Sequence, residues 1–340
     1  MLKVKVEDAV GMVLCHDITQ IIPGEFKGRA FKKGHIVTTE DIPKMLQIGK
    51  ENLYVWEKKE GFLHEDEAAQ RIAKAITGSG ISLTEPNEGK INLVSSLRGL
   101  LIINVSGLNE INNEHQVVVS SLHRNQVVEN GTVVAGTRVI PLVIDHKIIE
   151  RVEEHADRYK PVVEVKPLLG MRVGIVVTGN EVYKRRIEDK FSPVVAEKVI
   201  KLGCNVIRKI NVPDSIEMIS DAVKTMLREG TQLIMITGGM SVDPDDLTPA
   251  GVVAAGGTIV SYGAPVLPGS MFMVAYIEET PVLGLPGCVM YANSTVFDLV
   301  LPRILAGEKI TRQDITILGH GGLCSNCAPC RFPTCSFGKA

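Results

Sequence analysis

The chain has 340 residues, 45% of them hydrophobic, enough to bury a substantial core and to fill two or three domains. Lys+Arg 37 against Asp+Glu 39 leave a formal net charge of -2, so no global basic field argues for nucleic acid or an acidic membrane, and an anionic substrate needs local basic groups. The start, MLKVKVEDAV, has no signal-peptide pattern, and no run reaches the roughly 18 apolar residues of a membrane span, so a cytoplasmic chain is expected.

The first 165 residues carry many short β-like pieces: INLVSSL, LLIINVSG, QVVVSSL and TVVAGTRVIPLVI. Two patches read as helices, EDIPKMLQIG and HEDEAAQRIAKAIT, the second with Ala69, Ile72, Ala73 and Ile76 at helical spacing. Residues 1–165 therefore read as one or two β-rich accessory modules. YKPVVEVKPLLG, with its prolines, reads as a linker.

From Met171 the pattern becomes regular. RVGIVVT is a continuous apolar run, as expected of a strand buried on both faces. Ser192 and Pro193 read as a cap and first helical residue, and VVAEKVIKLG follows at helical spacing up to Gly203. NVIRKI is the next strand. Asp214 with Glu217 three residues on resembles a capping box for SIEMISDAVKTMLREG, whose Ile216, Ile219, Ala222, Val223 and Met226 share a face. TQLIMIT, a short helix in PAGVVAAGG, strands around GTIVSY, MFMVAYI and PVLGL, and a helix from about Tyr291 to Leu305 complete the series. This alternation predicts an α/β fold over 170–310, a doubly wound, mostly parallel sheet covered on both faces.

In such a sheet a ligand sits beyond the carboxyl ends of the strands, where strand order reverses. Thr178-Gly179-Asn180-Glu181 follow the first strand. Thr237-Gly238-Gly239-Met240-Ser241 follow the third, and Asp243, Asp245 and Asp246 come next. Pro286-Gly287-Cys288 follow the last. Gly, Asp and Pro are also ordinary residues of a solvated turn. Their recurrence after three strands points instead to one site, in which the glycines admit a ligand. No GxxxxGK[ST] or GxGxxG run occurs, which disfavours a P-loop and a standard dinucleotide fold.

TGNEV, TGGMSVDPDD, PVLPGSMFMVAY and GLPGCVMYANSTVFDLVLPRILAGE together resemble the molybdopterin-binding domain of molybdenum cofactor biosynthesis proteins, from about Met171 to Gly307. GRAFKKGHIV, EDIPKMLQIGKENLYVW and HEDEAA resemble more loosely the accessory modules of the molybdopterin molybdenumtransferase branch. The resemblance implies a transferase that inserts molybdate into adenylated molybdopterin and releases AMP with magnesium. A homo-oligomer and a molybdoenzyme that accepts the product are expected with it. Residue by residue it implies Asp246, Glu181 and Asp214 in the active cleft, with magnesium on Asp246 and Glu181. It implies pterin or nucleotide contacts at Thr178, Gly179, Thr237, Gly238, Gly239, Ser241, Pro268, Gly269, Pro286 and Gly287, with Gly284 and Leu285 beside them. Carboxylates suit magnesium, and glycine N–H groups and a helix N-terminus suit phosphate. Asp214 is equally a sound helix cap, and Asp243 and Asp245 equally turn residues.

The chain departs from the family pattern at Asn180, where an aspartate is usual, at Ser270-Met271, where a basic residue is usual, and at Cys288-Val289, where Asn-Pro is usual. One negative and one positive group are thereby removed from the expected site, and Lys184, Arg185 and Arg186 are candidates to restore the positive one. A non-catalytic molybdopterin-binding or delivery protein is the alternative. A pyrophosphatase or amidohydrolase on the same domain is weaker, because nothing supplies an independent nucleophile or base.

The segment 316–340 reads as a separate tail. It carries Cys324, Cys327, Cys330 and Cys335 in C-x2-C-x2-C-x4-C spacing, while Cys15, Cys204 and Cys288 are scattered. Disulfides are not expected in a cytoplasmic chain. The overlapping CxxC steps point to metal, either an iron–sulfur cluster or zinc. The tail has few apolar residues, so the α/β core is expected to fold without it.

Overall fold

The computed structural model describes residues 2–22, 26–55, 61–241, 243 and 246–339. Asp245 lies outside the described residues. The chain forms two compact units, one of residues 1–96, 103–122 and 130–164, the other of 97–102, 123–129 and 165–340.

In the first unit, Leu2–Lys5 pairs with Asn52–Val55 and Ile18–Ile22 with Phe26–Phe31, around a small core of Val6, Leu14, Ile18, Val37, Met45 and Leu53. A four-stranded antiparallel sheet follows, from Ile81–Leu83, Lys90–Ser95, Val133–Val139 and Val117–Ser121. Helix Glu65–Ile76 buries Ala69, Ile72, Ala73 and Ile76 completely, as their spacing predicts. Two further helices, Val105–Asn112 and His146–Tyr159, are not among the helical patches expected from sequence. HKIIERVEEHADRY is rich in charge, so its stripe of Ile149, Val152 and Ala156 is narrow, yet all three are fully buried.

The expected linker is a strand. Val163–Pro167 joins a sheet with Gly99–Ile103 and Val127–Val128, and Val163 and Val165 are fully buried.

The second unit is built on six strands: β1 (Arg172–Thr178), β2 (Asn205–Val212), β3 (Leu233–Thr237), β4 (Thr258–Tyr262), β5 (Met273–Ile277) and β6 (Thr280–Leu285), in the order β2-β1-β3-β6-β5-β4. The β2-β1, β1-β3 and β3-β6 pairs are parallel and the β6-β5 and β5-β4 pairs antiparallel, so only β5 runs against the others. Helices α1 (Phe191–Lys201), α2 (Ile216–Arg228), α3 (Thr248–Ala254), α4 (Val296–Leu305) and α5 (Arg312–Thr316) accompany it.

Alternation along β1 divides the interior. Val173, Ile175 and Val177 face a core with Val195 and Val199 of α1 and Phe297, Val300, Leu301 and Ile304 of α4. Val176 faces a second core with Ile219, Ala222, Val223 and Met226 of α2 and Val252 of α3. One apolar strand thus supplies both layers, which makes the sheet doubly wound.

Three helix starts differ from expectation. At α1, Asp189 rather than Ser192 does the capping: its carboxylate accepts from the Phe191 amide at 2.9 Å, the Ser192 amide at 3.0 Å and the Ser192 hydroxyl. At α2 the cap is Ser215, and Asp214 is left for another contact. Helix α4 begins at Val296, not Tyr291, because Thr295 and Asp298 form a reciprocal capping box there.

The tail is not separate. Phe337 and Leu318 are buried in the core of α1 and α4, with Cys324, Phe332 and Cys335 packed against it. Leu323 bridges to Leu267, with the Leu267 amide donating to the Gly322 carbonyl and the Cys324 amide to the Leu267 carbonyl, each at 2.8 Å. Aromatic and leucine side chains spaced widely along a glycine-rich run escape any periodic pattern, yet Leu318, Phe332 and Phe337 pack into or against the core, while Leu323 stays exposed.

Candidate functional site

Chain order reverses beside β1: the connection through α1 leads to β2 on one side, and the next, through α2, returns to β3 on the other. The loops after β1 and β3 therefore diverge at a switch point, and a crevice opens there. A cleft of about 720 Å³ lies at this end of the sheet. Of the residues implied by the resemblance, Gly238, Gly239, Ser241, Asp246, Pro268, Gly269, Pro286 and Gly287 line it. Thr178 and Thr237 line a neighbouring cleft of about 620 Å³, which shares Phe191, Gly238 and Met290 with the first.

Gly179, Glu181 and Asp214 line neither cleft. Glu181 is exposed on the single turn Asn180–Tyr183. Asp214 accepts from the Asn180 amide at 3.0 Å, so its visible role is to tie the loop after β2 to the loop after β1. Among the described residues, no three His, Cys, Asp or Glu side chains are gathered to hold a metal ion. Of the two carboxylates expected to hold magnesium, Asp246 lines the main cleft and Glu181 does not.

The glycines after β3 have a packing role besides lining the cleft. Gly238 has φ +90°, and a Cβ on it would lie 2.3 Å from the Thr178 carbonyl oxygen. Gly239 has φ +57°, and a Cβ there would lie 2.7 Å from the Thr248 hydroxyl, which itself donates to the Gly238 carbonyl at 2.9 Å. These glycines let two loops and the start of α3 close on one another. The glycine that faces open space is Gly287, with no atom within 4 Å of its Cβ position.

Asp246 and Asp243 close a small ring. The Asp243 amide donates to the Asp246 carboxylate at 3.0 Å, and the Asp246 amide to the Asp243 carbonyl at 2.9 Å. The exposed Asp243 thus enters the ring through its backbone, whereas Asp246, which lines the cleft, enters it through its carboxylate as well.

Tyr262 braces this loop by donating to the carbonyls of Met240 and Ser241 at 3.0 and 3.2 Å. Burial, with the Asp246 charge added, pushes its hydroxyl above the usual tyrosine range, keeping it a donor. Tyr262 was not foreseen, since a tyrosine closing a strand reads as ordinary β-sequence. Phe191, Tyr291 and Met290 also line the main cleft, giving it aromatic and thioether surface. Cys288, at a position where the chain departs from the family pattern, lines it too, its thiol pushed up by burial.

Among the described residues, the basic side chain lining the clefts is Lys190, in the smaller one. The exposed Lys184, Arg185 and Arg186 line neither. The Thr237 hydroxyl, in the wall of the smaller cleft, is buried and has no protein partner among the described residues. Chemically the main cleft offers the Asp246 carboxylate, several backbone groups and an aromatic wall, and the smaller cleft adds Glu188, Asp189 and Lys190, a setting that suits a flat, polar ligand carrying its own cation better than a protein-only metal cage.

Residues 174–306 match the family described as "Probable molybdopterin binding domain", and residues 3–57 match a family described as a domain of unknown function. The α/β segment thus carries the likeness to the molybdopterin-binding domain of molybdenum cofactor biosynthesis proteins that its loop motifs implied. Over 153 residues the chain is 26% identical to a molybdopterin molybdenumtransferase of Synechococcus elongatus, covering 42% of this chain and 38% of that protein. A CinA-like protein of Citrifermentans bemidjiense is 33% identical over 88 residues, 26% of this chain and 21% of that protein. The chain thus spans well under half the length of these curated relatives.

Among solved structures, the molybdopterin biosynthesis enzyme MoaB of Thermus thermophilus has a TM-score of 0.34 at 22% identity, covering 41% of this chain and 98% of that one. The tungsten cofactor synthesizing protein MoaB of Pyrococcus furiosus has a TM-score of 0.32 at 20% identity, covering 39% and 91%. Among the described residues, no helix is long and apolar enough to cross a membrane.

Proposed function

We propose that the main cleft binds molybdopterin, in its adenylated form, and that the chain inserts molybdate with release of AMP. The observation that carries this reading is the convergence on one cleft of the loops after β3 and β6 with Pro268-Gly269, inside the segment that matches the molybdopterin-binding family. Asp246 is the group placed to act on the ligand. Its carboxylate is held by the Asp243 amide beside the cleft, where it can receive a proton or share a magnesium ion brought by the ligand's phosphates. Magnesium, when bound, would neutralise phosphate charge, and one or two carboxylates suffice for an ion that keeps its waters. Phe191 and Tyr291 offer surfaces for the flat pterin or adenine rings, and Lys190 offers a cation at the rim of the smaller cleft.

A second reading, a binding or delivery protein without turnover, is favoured by Glu181 standing outside both clefts and by Ser270-Met271 where the family's basic residue is expected. The match to CinA-like proteins points the same way: one binding domain serves proteins of different names, so the fold alone does not decide the reaction.

AMP release from adenylated molybdopterin, with and without molybdate, separates the two. The transferase reading expects molybdate-dependent release. It expects Asp246→Asn, which can still accept from the Asp243 amide, to keep ligand affinity within a few-fold while release falls about a hundredfold or more. Asp243→Asn should be near neutral, because its side chain is exposed and its bonds are backbone bonds. Tight binding without release by the wild-type chain would leave the delivery reading standing. No binding at all would remove both.

A further inference from the structure

The four tail cysteines line a single cavity of about 560 Å³, together with Ser294, Asn326 and Phe332. The cavity shares Leu267, Pro268 and Tyr291 with the main cleft, so its contents would stand against the cleft's own wall. We propose that Cys324, Cys327, Cys330 and Cys335 hold an iron–sulfur cluster in this cavity. The inference stands on the tail alone and does not depend on which pterin the cleft binds.

Three observations carry it. First, the segment is clamped on both sides of its cysteines. Before them, Leu323 and Cys324 pair with Leu267. After them, Phe337 is 3% exposed and packs edge-on to Phe332 with ring centroids 6.2 Å apart, and a Cβ on Gly338 would lie 2.3 Å from Leu299. A chain so anchored restricts its thiols before any metal arrives, which lowers the entropy cost of binding.

Second, the surroundings suit thiolate ligands. The Asn326 amide donates to the Cys324 sulfur at 3.5 Å, and the Ser294 hydroxyl lies 3.8 Å from the Cys330 sulfur. Hydrogen bonds to sulfur stabilise thiolate ligands and tune a cluster's potential.

Third, the thiols share a wall without converging on a point. Four thiolates on one zinc ion, each about 2.3 Å from it, must lie within about 4 Å of one another. Among the described residues, no three such side chains are gathered in that way. A cluster takes one thiolate at each of several iron corners and so suits ligands spread round a cavity. On assembly each thiol gives its proton to solvent and forms one bond from sulfur to iron, with iron and inorganic sulfide supplied from solution.

The test uses the full chain, purified anaerobically and reconstituted with iron salts and sulfide. The expected result is iron and acid-labile sulfide in near-equal amounts, with broad visible absorption that dithionite bleaches. Cys327→Ser and Cys330→Ser should each lower iron content about tenfold. Cys288→Ser, in the neighbouring cleft, should leave it unchanged. Thiol alkylation read by mass spectrometry provides a measure that needs no variant: the four tail cysteines should be protected in the loaded chain and labelled after chelation. Stoichiometric zinc without sulfide, iron content insensitive to both tail variants, or equal labelling of loaded and chelated chain would each overturn the proposal.

Discussion

Gly238 shows how one residue can line a cleft and also serve the packing of the loops that build it. The pattern TGG after a buried strand signals a close approach, and one group that approaches is Thr178 of the adjacent loop. Gly238→Ala is therefore expected to cost about 3 kcal/mol or more, since the Cβ meets backbone oxygen and the φ is left-handed. Gly287→Ala provides the contrast. Nothing crowds its Cβ position, so stability should change by about 0.5 kcal/mol or less while ligand affinity falls, because the methyl group enters the cleft. Urea unfolding and a binding titration on the two variants check this. Equal stability loss in both would refute the distinction.

At the scale of elements, helix starts were legible as places but not as partners. Ser192-Pro193 marks the beginning of α1, yet Asp189 supplies the cap, and Lys209 of β2 pairs with the same carboxylate. Burial raises the Asp189 pKa, but the bonds from Lys209, Ser192 and Phe191 outweigh it and hold the carboxyl below the usual aspartate range. A carboxyl with a depressed folded-state pKa stabilises the fold above the unfolded value near 4, and loses that contribution as pH falls through the folded one. Asp189→Asn should therefore cost about 1–2 kcal/mol at pH 7 and progressively less below about pH 4. Denaturation of both chains at neutral and acidic pH measures it. A penalty unchanged across that range would show that the carboxylate's charge contributes nothing. Across the interior, Lys198 of α1 reaches the Asp298 carboxylate at 2.6 Å and the Asn293 carbonyl at 3.1 Å. These bonds fix α1 against the start of α4, close to the cleft wall at Tyr291.

For the whole molecule the main revision concerns the tail. Its low apolar content suggested that the α/β core would fold without residues 316–340. The structure instead places Phe337 and Leu318 in that core and pairs Leu323 with Leu267 at the edge of the cleft. Burying one phenylalanine side chain is worth about 2–3 kcal/mol, and Leu318 adds to that. Truncation at residue 315 should lower the melting temperature of the second unit by about 5 °C or more and expose apolar surface to a hydrophobic dye. A truncated chain with unchanged melting would restore the original expectation.

The sequence by itself determined the layered α/β architecture, because continuous apolar strands alternating with one-faced helices can bury their surfaces in few other ways. It also determined the neighbourhood of the site, since parallel strands ordered about a switch point bring their carboxyl-end loops together. RVGIVVT and SIEMISDAVKTMLR carry those signals within a few turns of chain. Only the tertiary structure decided that Asp214 fastens the loop at Asn180, that Tyr262 braces the carbonyls of Met240 and Ser241, and that Asp246 rather than Glu181 lines the main cleft. The same holds for the tail, whose aromatic side chains are spaced without period and find their places only once the core exists. Periodicity is a local property, whereas the partners of a hydroxyl, a carboxylate or a lone phenylalanine depend on which distant segments the fold brings alongside.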